Sequence, residues 1–158
     1  GAKPYQVGSG VPPQTKKMQD KRVYDSDKKK DKSYRPLLRG VDVQPYKILW
    51  NNNRWIKYGR NLAEPRNENI FLYSPKIVVR QTGYYLVASI DKKKFICMDN
   101  LHIIHSFENT FDPRFILAIL NSKLGNFFFL VQNPEKGEGF AQVKKRHVEM
   151  IPIPKFHS

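Results

Sequence analysis

The apolar patterning that organises the rest of the chain lies between residues 73 and 91. There Ile77-Val78-Val79 and the run from Tyr84 to Ile90 flank a polar corner of Arg80, Gln81, Thr82 and Gly83. β-Branched and aromatic runs of that length, bounded by Pro75 and Gly83, predict two paired core strands. The corner would then stand on a rigid base, with Gly83 as its left-handed turn residue.

Upstream, 41–44 reads as a strand, and 46–50 with 54–58 reads as a hairpin around Asn51-Asn52-Asn53. Its second strand alternates basic with aromatic or aliphatic residues. Trp50 and Trp55 are large enough that at least one is expected in the core. Downstream, Asp91-Lys92-Lys93-Lys94 reads as an exposed basic hairpin tip leading to a strand at 95–98, and 101–105 as a further strand. Asp112-Pro113 is an N-cap followed by proline at the first helical position. The helix that follows, with Phe115, Ile116, Leu117, Ile119, Leu120 and Leu124, is apolar almost all round, which predicts burial. Gly125 is expected to break it, and 127–131 to continue as a second buried segment. A short strand at 140–144, a helical turn or two at 145–150, and an irregular Ile151-Pro152-Ile153-Pro154 end the pattern. Together these elements predict an α+β fold with a mixed, mostly antiparallel sheet core and a few buried helices in the 115–131 region.

Residues 8–32 are poor in aliphatics and rich in Gly, Pro, Lys and Asp, so 1–33 reads as a basic, partly irregular arm or linker and 34–158 as the domain proper. At 158 residues one domain is expected. Lysine and arginine total 28 against 14 acids, a formal net charge of +14, which favours a polyanionic partner, above all nucleic acid. No long apolar run, signal peptide or basic amphipathic helix is visible, so no membrane partner and an intracellular location are expected. The opening Gly1-Ala2-Lys3 reads as the start of a cut-out fragment.

Catalytic constellations are missing. Gly8-Ser9-Gly10 runs into Val11-Pro12-Pro13 rather than a phosphate loop, and no serine occupies a nucleophile elbow. The acids of Asp25-Ser26-Asp27 could be imagined as a nuclease cluster but sit in loop-like sequence. Cys97, His102 and His105 lie close together, yet no second cysteine pair completes a zinc set, and no metal is expected. The single cysteine also excludes an internal disulfide and fits a reducing compartment. The chain reads as a recognition module without a reaction centre.

Several stretches in order carry a family resemblance. They are the segment from Tyr5 to Thr15, Pro36-Leu37-Leu38-Arg39-Gly40-Val41-Asp42-Val43, Pro75-Lys76-Ile77-Val78-Val79-Arg80-Gln81-Thr82-Gly83, Leu120-Asn121-Ser122-Lys123-Leu124 and Ile151-Pro152-Ile153-Pro154. In this order they resemble the TaqI-like target-recognition, or specificity, domain of type II restriction-modification adenine methyltransferases, which is similar to the recognition domains of type I specificity subunits. The resemblance implies a part that selects a double-stranded DNA sequence for a methyltransferase domain of the same parent chain, in the cytoplasm of a bacterium or archaeon. It implies no cofactor in this fragment. S-adenosylmethionine, and Mg if a nuclease is fused, would belong to the parent. The Asn-Pro-Pro-aromatic loop of amino-methylating enzymes is not in this sequence.

The candidate DNA-facing residues are Arg39, Arg54, Lys57, Arg60, Asn61, Arg66, Arg80, Gln81 and Thr82, with Lys92, Lys93, Lys94, Lys144, Lys145 and Arg146 as backbone contacts. Arginine and the carboxamides match guanine and adenine edges, whereas lysines grip phosphate without reading sequence. For Arg80 a structural role, pairing with a buried acid or a carbonyl, stands beside the DNA role. Asn121, Ser122 and Lys123 are read as a helix-end device. Two other functions remain open: an RNA- or single-strand-binding module stacking bases on Tyr46, Trp50, Trp55 and Tyr58, and a protein-docking domain of a methylase.

Overall fold

The computed structural model describes residues 1–108, 111–133 and 142–154. In chain order the elements are α1 (Lys16–Asp20), β1 (Asp25–Ser26), β2 (Tyr34–Leu38), a 3-10 turn at Gly40–Asp42, β3 (Val43–Gln44), β4 (Lys47–Ile48), β5 (Trp55–Lys57), α2 (Asn69–Leu72), β6 (Lys76–Arg80), β7 (Ala88–Asp91), β8 (Ile96–Cys97), β9 (Leu101–Ile104), α3 (Pro113–Asn121), α4 (Lys123–Gln132) and α5 (Lys145–Glu149). Among the described residues three sheets form, with orders β1-β5-β2-β8, β3-β4 and β7-β6-β9. All pairings are antiparallel except that of β2 with β8, so the α+β expectation holds.

β6 is central because both of its faces are buried. Its alternation sends Val78 into one core with Leu37, Leu38, Ile56, Phe71 and Leu101, and sends Ile77 and Val79 into a second core with Leu117, Leu120 and Phe129. The first core lies against the four-stranded sheet; the second lies under the helices. Lys76, at the start of β6, is fully buried. Its ammonium meets the Asp91 carboxylate on β7 at 2.5 Å and donates to the Phe71 carbonyl at the end of α2 at 2.9 Å. The same carboxylate accepts from the Lys93 and Phe95 amides at 2.6 and 2.9 Å. A buried ion pair persists only when its remaining hydrogen-bonding capacity is used, and here it is.

α3 begins as its sequence dictates. Asp112 caps it by accepting from the Arg114 amide at 2.8 Å, and Pro113 opens the first turn. Its break comes at Ser122, whose hydroxyl caps α4 through the Gly125 amide at 2.9 Å. Gly125 is therefore not the breaker expected. A Cβ there would lie 2.1 Å from the Ile119 carbonyl oxygen, so glycine lets the two helices approach. The Asn121 carboxamide clasps both the Ala88 amide and carbonyl at 3.0 Å, and Asn126 accepts from the Leu86 amide at 2.6 Å. The helix-end residues thus staple α3 and α4 to the start of β7.

Four further local expectations are corrected. The 46–50 and 54–58 hairpin does not form: β4 pairs with β3, while β5 lies between β1 and β2. The intervening turn is held instead by the two indoles, Trp50 Nε1 donating to the Arg54 carbonyl at 3.2 Å and Trp55 Nε1 to the Asn52 carbonyl at 3.0 Å. Strand geometry at 41–44 is confined to Val43–Gln44, because Asp42 hydrogen-bonds back to the Arg39 amide and curls 40–42 into a 3-10 turn. Lys92, Lys93 and Lys94 are exposed, but on a turn built by buried Asp91 rather than a hairpin tip, since β8 leaves to pair with β2. Finally, α4 buries only Gly125 and Phe129, and Leu124, Phe127 and Val131 face outward. Of the strand expected at 140–144, residues 140 and 141 lie outside the described set.

Parts of the first 33 residues pack onto the sheets. Ala2 is buried and runs beside 97–99, and the buried Gln14 carboxamide donates to the Pro4 and Asn61 carbonyls at 2.9 and 2.8 Å. Among the described residues no single helix is long and apolar enough to cross a membrane.

Candidate nucleic-acid interface

The sequence-predicted residues fall into distinct neighbourhoods. Arg39 and Arg54 share a cleft of about 400 Å³ with Lys3, Tyr5, Arg22 and Asp25. Its cations are largely neutralised. Arg39 makes a two-pronged bond to buried Asp42, Nε at 3.0 Å and Nη2 at 2.7 Å, and this hydrogen bonding raises its pKa further. Arg54, whose side chain is only 15% exposed, lies 2.5 Å from Asp27 and 3.8 Å from Asp25. These are charge contacts without aligned hydrogen bonds, since Arg54 Nε and Nη1 are buried with no acceptor in line. Asp25 is also paired with Arg22 and accepts from the Tyr5 hydroxyl at 2.8 Å. Burial, then that hydrogen bond, pushes the Tyr5 phenol upward.

A second neighbourhood sits where β6 runs out. The Gln81 amide donates to the Asn100 carbonyl at 3.0 Å, extending the β6–β9 ladder, while the Gln81 carbonyl accepts from the Val143 amide at 2.8 Å. Thr82 bridges Gln142 in antiparallel fashion. Residues 142–143 thus pair with the chain just beyond β6, beside the start of β9, while residues 83–87 loop away. Gly83 enters that loop at φ +142°, a conformation other residues resist. Gln81, Thr82, Asn100, His102, Gln142, Lys144 and Lys145 line one cleft of about 420 Å³. Asp99 lines both this cleft and the arginine cleft, so the two adjoin. Asn100 is spent on structure, its Oδ1 accepting from the Gly40 amide at 3.0 Å, which ties the turn after Arg39 to this corner.

Electrostatically the corner is open. Among the described residues the Gln81, Thr82 and Gln142 side chains carry no hydrogen bond, and Arg80 Nε is buried without an acceptor, so the pairing considered for Arg80 is not found there. Lys145 makes a surface pair with Glu149 at 3.0 Å, and the exposed Arg146 donates from Nε to His147 Nε2 at 3.3 Å. His102 Nε2 lies 2.6 Å from the Val143 carbonyl, and burial lowers its pKa despite that bond, favouring the neutral ring.

The remaining candidates lie apart from this corner, except that Arg66 shares a cavity of about 690 Å³ with Gln81, His102 and Lys145. Lys57 and Arg60 are exposed, and Asn61 Nδ2 is spent on the Lys57 carbonyl at 3.1 Å. Arg66 donates to the Gly1 carbonyl at 3.1 Å and pairs with Glu64 at 3.4 Å. Lys92 and Lys93 border a small pocket with Trp50 and Phe95. Trp50 and Trp55 meet edge to face at 5.2 Å, and Lys29 lies over the Trp55 ring at 5.3 Å. Two residues at the corner, Asn100 and Gln142, had no signal in the sequence; each lies in a polar stretch, and only long-range pairing reveals its place. No group of three His, Cys, Asp or Glu among the described residues could hold a metal ion. Cys97 is wholly buried and its thiol is pushed up to about 12 by desolvation.

A β-ladder end that presents free amides beside lysines suits reading of a polar polymer. The family comparison decides what kind of domain this is: the TaqI-like C-terminal specificity domain matches residues 35–153. The chain belongs to that family. No curated protein matches it. The match takes in every strand but β1 and the first residue of β2, both long helices, and the β6 corner along with residues 142–146. A specificity domain of this family is the target-recognition part of a restriction-modification system.

Proposed function

We propose that the chain binds double-stranded DNA and selects its sequence, on behalf of an adenine N6-methyltransferase domain elsewhere in the parent polypeptide. The observation that carries this reading is the β6 corner: Gln81 and Thr82 held between Asn100 and Gln142–Val143, with unspent amides next to Lys144 and Lys145. Fixed amides suit base edges, and flanking cations suit the phosphates on either side. The formal net charge of +14 supplies the sequence-independent attraction. Methyl transfer from S-adenosylmethionine, and any Mg-dependent cleavage, would take place in other domains of the parent.

Duplex binding followed across a salt series tests this. About six phosphate contacts predict a log-log slope near −5. A flat salt dependence would point to a protein-docking domain instead. If single-stranded DNA or RNA displaced the duplex, base stacking would replace groove reading.

A further inference from the structure

We propose that Gln142 is a specificity-determining residue whose carboxamide reads an adenine edge in the major groove. This rests on the duplex-reading function above and adds a named reader to it. Gln142 is exposed, and among the described residues its side chain has no hydrogen-bond partner. Its backbone is nevertheless fixed, because it bridges Thr82 and the next residue donates to the Gln81 carbonyl at 2.8 Å. A free head on a pinned stem loses little entropy on binding. Of the other carboxamides in the cleft, Asn100 spends its Oδ1 on the Gly40 amide, while Gln81 is half-buried and strand alternation sends it to the face opposite Thr82 and Gln142.

Chemistry then narrows the ligand. A carboxamide offers one acceptor and one donor side by side, which matches the N6 donor and N7 acceptor of adenine. Strand alternation places Thr82 on the face of Arg80, and the bridge places Gln142 opposite Thr82 on that same face. The guanidinium of Arg80, which has no internal acceptor for its Nε, thus flanks the reader. Lys144 and Lys145, two and three residues on in the same cleft, are within reach of the adjoining phosphates.

The test is selection of bound duplexes from a pool with a randomised segment, using the whole chain as wild type, Gln142→Ala and Gln142→Arg. The wild type is expected to enrich a site with a fixed adenine. Gln142→Ala should lose preference at that one position by roughly tenfold to a hundredfold while keeping the others. Gln142→Arg should move that position toward guanine, the base an arginine fork matches. Because the side chain makes no internal bond, both variants should melt with the wild type. An unchanged profile in Gln142→Ala, or a uniform loss at all positions, overturns the assignment while leaving duplex reading intact. A wild type that enriches no sequence overturns both.

Discussion

Two adjoining clefts, both lined by cations, have opposite electrostatic fates. In the cleft of Arg22, Arg39 and Arg54, the guanidiniums are met by Asp25, Asp27 and Asp42, and the charge is consumed holding β1, β5 and the turn after β2 in place. At the end of β6, Gln81, Thr82, Gln142 and Lys145 stand on a ladder of backbone hydrogen bonds, braced by the His102 ring at the Val143 carbonyl and by the Asn100 carboxamide at the Gly40 amide. When the backbone supplies the scaffold, side chains remain available for a partner. When side chains supply it, they do not. The contrast divides candidate residues that composition alone treats as equal.

The largest effect should come from breaking what both clefts stand on. Asp91→Ala leaves the buried Lys76 ammonium without its counter-charge and two turn amides without an acceptor, so a loss of about 3–5 kcal/mol is expected. A fall in the urea midpoint at unchanged slope would register it. If Asp91→Ala unfolded no more readily than the wild type, the pair would be idle.

Next comes the arginine cleft. Arg39→Ala removes the two-pronged bond to buried Asp42 and should cost about 1.5–3 kcal/mol by the same denaturation measurement. Thr82→Ala at the open corner should stay within about 0.5 kcal/mol of wild type. Equal losses at the two sites would erase the distinction drawn between them.

On the DNA side the order should reverse. Replacing Lys145 and Arg146 by alanine removes up to two phosphate contacts and should flatten the salt slope by about 2, whereas Arg39→Ala should leave it within about 1. A larger change from Arg39→Ala would move the interface to the arginine cleft.

The smallest expected effect concerns pH. Burial holds the His102 pKa below its ordinary value of 6.5, so the unfolded chain takes up a proton first as pH falls. The stability that neutral His102 contributes is complete above about 6.5 and is lost toward its lower folded value. Unfolding midpoints between pH 7 and 5 should therefore fall less in His102→Gln than in the wild type. Identical slopes in the two proteins would contradict the assignment.

Some of this was legible in the sequence because it is local. Ile77-Val78-Val79 announces a strand covered on both faces, and Asp112-Pro113 announces its helix with cap and first residue in register. Other features depend on partners far along the chain. Nothing near Lys76 marks it as buried, since its acid lies 15 residues away across the β6–β7 pair. The 46–58 segment reads as a hairpin locally, but β2 offers β5 a longer antiparallel partner, and the two tryptophans close the turn through their indole N–H groups. Ser122, not Gly125, ends α3 because a hydroxyl can cap the next helix while the glycine is needed for close approach. The corner itself was half visible: Arg80, Gln81 and Thr82 could be singled out, whereas Gln142 enters only through a bridge spanning 60 residues.

Amide shift mapping on the isotopically labelled chain during titration with a duplex that it binds tests the central claim most directly. Shifts should concentrate at 80–83, 99–100 and 142–146, and be small at Arg39, at Arg54 and along α4. Shifts centred on the arginine cleft or on the outer face of α4, with residues 80–83 and 142–146 unmoved, would contradict it.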